Sequence, residues 1–152
     1  FAKAVTDYHD HLVGRRGVEM LMWGDRLIDA STMNYGEWEA SASGTAAAID
    51  RLPTDIIICD WHYGQRTHYP SIPWFMKKGF RVLPAGWNQV DATTALIEYS
   101  RSQDPALMLG HLFTTWSVDN ADLCSFPPIV EGLKLLDAHK KRSGAGATSS
   151  AP

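Results

Sequence analysis

The chain reads as an α/β fold built of four βα units with parallel strands. Three observations point there. Short apolar runs alternate with helix-patterned stretches in the order α-β-(loop/α)-β-α-β-α-β-α, which implies right-handed βαβ crossovers and a parallel sheet. The run at 55–60 (DIIICD) holds three consecutive Ile, as in a strand buried on both faces. Four runs also end alike, each with a Trp at its C-terminal end: Trp23-Gly24-Asp25, Asp60-Trp61-His62-Tyr63, Gly86-Trp87-Asn88 and Thr115-Trp116-Ser117.

From residue 1 to 16, Ala4, Val5, Tyr8, Leu12 and Val13 recur at helical spacing, and Gly14 and Gly17 close that helix. VEMLMW (18–23) is a short, mostly apolar run followed by Gly-Asp, and reads as the first strand. Residues 26–53 are long and rich in Ala, Ser and Gly. They read as a loop with one or two short helices, including 45–51, and such an excursion is usually functional or mobile. After the strand at 55–60, residues 71–78 predict a short helix closed by Gly79, and FRVLP (80–84) a third strand. Asp91 is placed to cap a helix over 92–102. LMLGHLFTTW (107–116) predicts a fourth strand, with Gly110 permitting close backbone approach. Pro127 and Pro128 open a last helix carrying Ile129, Val130, Leu133, Leu135 and Leu136. The expected organisation is one α/β domain over residues 1–142 and a low-complexity tail or linker over 143–152.

Composition agrees with a folded chain. Of 152 residues, 45% are hydrophobic and 20% charged, which rules out wholesale disorder. With 14 basic against 17 acidic residues and a net charge of -3, no electrostatic case exists for a nucleic-acid partner. No stretch approaches the roughly 18 apolar residues of a membrane span. Cys59 and Cys124 make no disulfide framework, and Cys59 reads as a small buried hydrophobe. The first residue is Phe1 rather than Met, so the expectation is a chain that begins inside something longer or has been processed. No signal-peptide pattern opens it, and the sequence assigns no compartment.

The Trp-bearing strand exits carry the functional reading. Binding and catalytic residues gather at the C-terminal ends of parallel strands. Six Trp is a heavy load for this length, and four of them at equivalent exits predict a bowl lined with indoles. Its rim would hold Asp25, Asp60, His62, Tyr63 and Asn88. Indole faces stack on the C–H faces of sugar rings or on planar ligands, while carboxylate and amide groups take hydroxyls. The alternative is that these indoles only fill a core or cap its layers. Trp74 reads as helix packing, and Trp38 stays open between the two. Asp60-x-His62, with His68 and His111, is the sole hint of a metal site, and one D-x-H pair is too little for a ligand set. No G-x-S-x-G elbow, GxGxxG or Walker loop is present, so no cofactor is expected. His9 and His11 on the first helix read as solvent-facing.

Taken in order, M-W-G-D (22–25), D-W-H-Y (60–63), K-K-G-F-R-V-L-P-A-G-W-N (77–88) and G-H-L-F-T-T-W (110–116) resemble the C-terminal half of the catalytic domain of family 20 glycoside hydrolases. These are the β-N-acetylhexosaminidase-like proteins, and the likeness spans most of residues 15–136. The resemblance implies the second half of a TIM (β/α)8 barrel, with these strands as the fifth to eighth. It implies a sugar pocket walled by Trp61, Trp87 and Trp116, with Trp23 a looser match. It also implies substrate-assisted cleavage, in which the 2-acetamido carbonyl attacks the anomeric carbon and a Glu is the general acid. The Asp-Glu pair that does this work in the family has no counterpart, because the chain contains no Asp-Glu dipeptide. No catalytic residue carries over. Asp25, Asp60 and Glu37 are the nearest substitutes, and Asp119 stands near where the family has a Glu after its last Trp. The resulting expectation is a fragment of a family 20-like glycosidase, carrying its amino-sugar-binding half and inactive alone. The other expectations are a non-catalytic carbohydrate-binding or self-associating half-barrel module, and a metal enzyme built on the D-x-H pair. Half of a barrel leaves an open face, so the partner expected besides a glycan is a second copy or the missing half.

Overall fold

The computed structural model describes residues 1–116 and 122–146. Its centre is one sheet of four parallel strands in the order β1-β2-β3-β4, curled as half of a (β/α) barrel with helices alternating between strands. The strands are β1 (Leu21–Trp23), β2 (Ile57–Trp61), β3 (Arg81–Gly86) and β4 (Leu112–Phe113). Sequential strands are therefore spatial neighbours, as repeated right-handed crossovers require. The register pairs Trp23 with Cys59, Cys59 with Leu83, Trp61 with Ala85, and Ala85 with Leu112. These residues form rows on one face of the sheet, because side chains along a strand alternate with period two.

The opposite face carries the core. Ile56, Ile58, Ile72, Phe75, Phe80, Val82 and Leu96 are each at most 1% exposed and belong to one apolar cluster. α3 (Ser71–Lys77) and α4 (Val90–Ser100) supply its outer layer. Burying a ring such as Phe75 contributes roughly 1.5–3 kcal/mol. α1 (Ala2–His9) passes into a π-helical stretch over Asp10–Arg15. α5 (Pro127–Gly146) packs against α4. It runs to Gly146, past the expected boundary at 142, so the first part of the predicted tail is helical.

Several elements differ from expectation. β1 is half the length predicted, because β2 comes alongside only from Met20 onward, where Ile57 N–H donates to the Met20 carbonyl (2.9 Å). The fourth strand is split. Met108 bridges Val82, then Gly110 turns the chain at φ 123°, and pairing resumes only at Leu112. Side chains rarely adopt such a φ, which accounts for the glycine. Gln89, not Asp91, occupies the cap of α4, and Asp91 lies in its first turn where the helix dipole favours a carboxylate. His9 is not solvent-facing: its ring is mostly buried and meets Asp55 at 2.8 Å.

The 26–53 excursion carries the short helices expected of it, including the one at 45–51, and folds back as a unit. It contains 3-10 turns at Asp25–Leu27 and Thr45–Arg51 and a short α2 (Gly36–Glu39). A bridge between Asp29 and Ser41 draws it back on itself. Leu27, Ile28, Tyr35, Ala40 and Ile49 are buried beneath it.

Candidate functional site: an indole-lined bowl over a buried ion network

The parallel ladder continues past the strand ends and holds the four exits level. Gly24 N–H donates to the Cys59 carbonyl (2.9 Å), His62 N–H to Ala85 (3.0 Å) and Thr114 N–H to Gly86 (3.0 Å). Beyond these bonds lies a cavity of about 400 Å³ lined by Trp23, Asp25, Trp61, Tyr63, Trp87 and Trp116. The rings pack as two groups, Trp61–Tyr63–Trp87 and Trp23–Trp116, joined by hydrogen bonds. Centroids are 4.8 Å apart for Trp61 and Tyr63, 5.4 Å for Tyr63 and Trp87, and 5.7 Å for Trp23 and Trp116. Such tilted contacts suit aromatic quadrupoles and stiffen the wall.

The indole N–H groups are largely spent within the protein. Trp87 Nε1 donates to the Trp116 carbonyl (3.2 Å), Trp116 Nε1 donates to the Tyr63 hydroxyl, and Trp61 Nε1 reaches Asp25 Oδ1 at 3.4 Å. The bowl therefore presents π faces and ring edges. Its directed polar groups are the Asp25 carboxylate, whose other oxygen meets Arg26 Nε at 3.0 Å, and the Tyr63 hydroxyl. Trp116 is 48% exposed and Trp23 37%, so the bowl is open.

Asp60 and His62 do not line it. Both are buried on the helix side of the sheet, 1% and 0% exposed, because they alternate along the strand exit with Trp61 and Tyr63. The two carboxylates at adjacent exits, Asp25 and Asp60, are thus not brought together as an acid–base pair. Asn88 is exposed and is not among the lining residues. The Glu37 side chain and Asp119 lie outside the described residues. Trp74 packs against the core cluster and meets Phe75 at 4.9 Å, whereas Trp38 on α2 is 77% exposed.

Beneath the bowl, Asp60 and His62 belong to a network that composition and spacing did not reveal. Ser71 Oγ donates to Asp60 Oδ2 (2.6 Å) and lies 3.0 Å from both His62 Nε2 and the Tyr35 hydroxyl. His62 Nε2 is also 3.2 Å from Asp60 Oδ2. On the other side of the ring, His62 Nδ1 meets Glu39 Oε2 at 2.8 Å, and Glu39 in turn pairs with Arg66 Nη2 at 3.2 Å. Burial alone would lower the His62 pKa, but the Asp60 and Glu39 carboxylates outweigh it and raise it to about 9. The only forewarning in the sequence was the D-x-H pair: a carboxylate and an imidazole at a strand end need partners if they are buried.

Ser71, His62 and Glu39 have the outline of a nucleophilic triad. Chemistry is blocked there, since Ser71 is fully buried and its proton is committed to Asp60. Among the described residues, no three His, Cys, Asp or Glu side chains are grouped to hold a metal ion. No described helix is long and apolar enough to cross a membrane. The Cys59 thiol is pushed up to about 11 by burial, with the Asp60 charge adding to it, which removes it as a nucleophile at neutral pH. Compared with known proteins, the chain matches no family model and no curated protein.

Proposed function

We propose that this chain is the sugar-binding half of a family 20-like glycoside hydrolase, and that the bowl holds one ring of an amino sugar or glycan. The observation that carries the reading is the wall itself: four indoles and a phenol from four strand exits around about 400 Å³, with the Asp25 carboxylate on the rim. Sugar rings offer apolar C–H faces and peripheral hydroxyls, and this site offers π faces with Asp25 and Tyr63 as hydrogen-bonding partners. The motif order quoted above supports the family, and the half-barrel sheet agrees with the barrel the family implies.

Cleavage is not assigned to this chain. It has no Asp-Glu dipeptide, and among the described residues Asp25 is the one carboxylate that lines the bowl. The isolated chain is expected to bind but not hydrolyse N-acetylhexosaminides. Titration with N-acetylglucosamine by calorimetry tests this directly. Replacing Trp61, Trp87 or Trp116 by Ala is expected to weaken binding at least about tenfold, ~1.4 kcal/mol each. Unchanged affinity in all three variants would sink the reading.

A non-catalytic, self-associating module is the second reading. It is favoured by the exposed β1 end of the inner face, where Leu21 is 49% exposed beside Trp23, and by the open edges of β1 and β4.

A further inference from the structure

His62 can govern the bowl without touching it. It stands between Trp61 and Tyr63 in the chain, and those two rings form one wall of the cavity. We propose that His62 is the positioning residue of the bowl: clamped as an imidazolium between Asp60 and Glu39, it locks the β2 exit that aims Trp61 and Tyr63 and ties the 28–41 excursion onto that exit. The inference concerns the geometry of the wall and stands whether or not a sugar is the ligand.

The hydrogen bonds demand the doubly protonated ring. Ser71 has one proton, and it goes to Asp60. Ser71 Oγ also lies 3.0 Å from the Tyr35 hydroxyl, which accepts from Ser71 N–H (2.9 Å) and so turns its own proton toward Oγ. His62 Nε2 therefore faces two oxygens, Ser71 Oγ and Asp60 Oδ2, that can only accept from it. Nδ1 faces a carboxylate oxygen of Glu39. Only the imidazolium donates from both nitrogens.

The charge count agrees. The groups around the ring are Asp60 from β2, Glu39 and Tyr35 from the excursion, Arg66 and Tyr69 from the segment before α3, and Ser71 from α3 itself. Two carboxylates face one guanidinium. A charged His62 balances them, while a neutral one leaves an uncompensated buried negative charge, a costly state. The ring is further held between Tyr35 and Tyr69, at centroid distances of 4.7 and 5.1 Å, which favours a cation.

Loss of the His62 proton leaves a single N–H, so the ring keeps either its bond to Glu39 or its bonds to Ser71 and Asp60 and no longer ties the two sides together. The excursion and the exit lose their common anchor, and the Trp61–Tyr63 wall loosens. The transition belongs near the His62 pKa of about 9.

The test needs no ligand. Imidazole and indole N–H signals of the full chain are followed by NMR from neutral to alkaline pH. The expected result is a His62 titration centred near pH 9, with the Trp61 and Trp116 indole signals moving at the same midpoint. Glu39→Gln removes one carboxylate and should lower that midpoint by about one unit, tenfold in proton affinity. His62→Gln should abolish the indole transition while circular dichroism reports a folded chain. A His62 titration near its ordinary value overturns the proposal. So do indole signals that ignore the titration, or a midpoint unmoved by Glu39→Gln. If His62→Gln does not fold, the Glu39→Gln midpoint decides alone. A failed sugar titration with this transition intact would sink the binding reading and leave the clamp standing.

Discussion

Gly24 lies between Trp23 and Asp25, two of the residues that line the bowl, and its lack of a side chain is a packing requirement. A Cβ there would sit 2.8 Å from Ile58 Cγ2 and 3.0 Å from the Phe75 ring. Gly24→Ala is expected to cost about 1–3 kcal/mol through overpacking, read as a lower urea midpoint at unchanged slope. His111 makes the opposite kind of demand. Burial pushes its pKa down to about 4, and neither ring nitrogen has a hydrogen-bond partner among the described residues. A histidine held neutral in the fold costs stability as pH falls from its unfolded pKa toward 4, by up to about 3 kcal/mol. His62 has the reverse sign. Its raised pKa contributes stability that is complete below the unfolded value and is lost as pH rises through about 9. Thermal scans across pH are expected to peak near the ordinary histidine value of about 6.5. His111→Leu should flatten the acid limb, and His62→Gln the alkaline one.

The strands were readable because a buried parallel strand leaves a plain apolar run, and β2 and β3 lie where 55–60 and 80–84 point. Their exits were readable too, since Trp recurs at each. The facing of individual residues was misread for a physical reason. Asp60, Trp61, His62 and Tyr63 are consecutive in sequence, but an extended chain sends alternate side chains to opposite sides. Two of the four went into the bowl and two into the core. Applying that alternation from the buried Ile58 onward would have placed Asp60 and His62 with it. Nothing local could have named Glu39, Tyr35 or Ser71 as members of their network, because the His62 contacts to Ser71 and Glu39 span 9 and 23 positions of chain and the Tyr35–Ser71 bond 36. The split in the fourth strand depended on the positive φ of Gly110, which a glycine permits but does not announce. Ser71 joins α3 to the β2 exit and to the excursion, so Ser71→Ala is expected to destabilise by about 1–3 kcal/mol, measured by thermal or chemical unfolding, as Asp60 and Tyr35 lose a partner.

For the molecule entire, the sheet ends at β1 and β4 without closing, and exposed Leu21, Leu109, Trp23 and Trp116 stand at or near its open side. Open edges and contiguous apolar surface invite association. Light scattering is expected to show concentration-dependent self-association of the isolated chain, and a strict monomer across the accessible range would count against it. The crowded rings of the bowl have an optical consequence as well. Trp23 and Trp116 lie 5.7 Å apart with their planes at 47°, and Trp61 and Tyr63 lie 4.8 Å apart at 33°. Chromophores this close and this skewed share their excited states, so the folded chain should display an exciton couplet in its far-ultraviolet dichroism. The bowl thus carries its own reporter: a label-free signal whose amplitude tracks how firmly its walls are held.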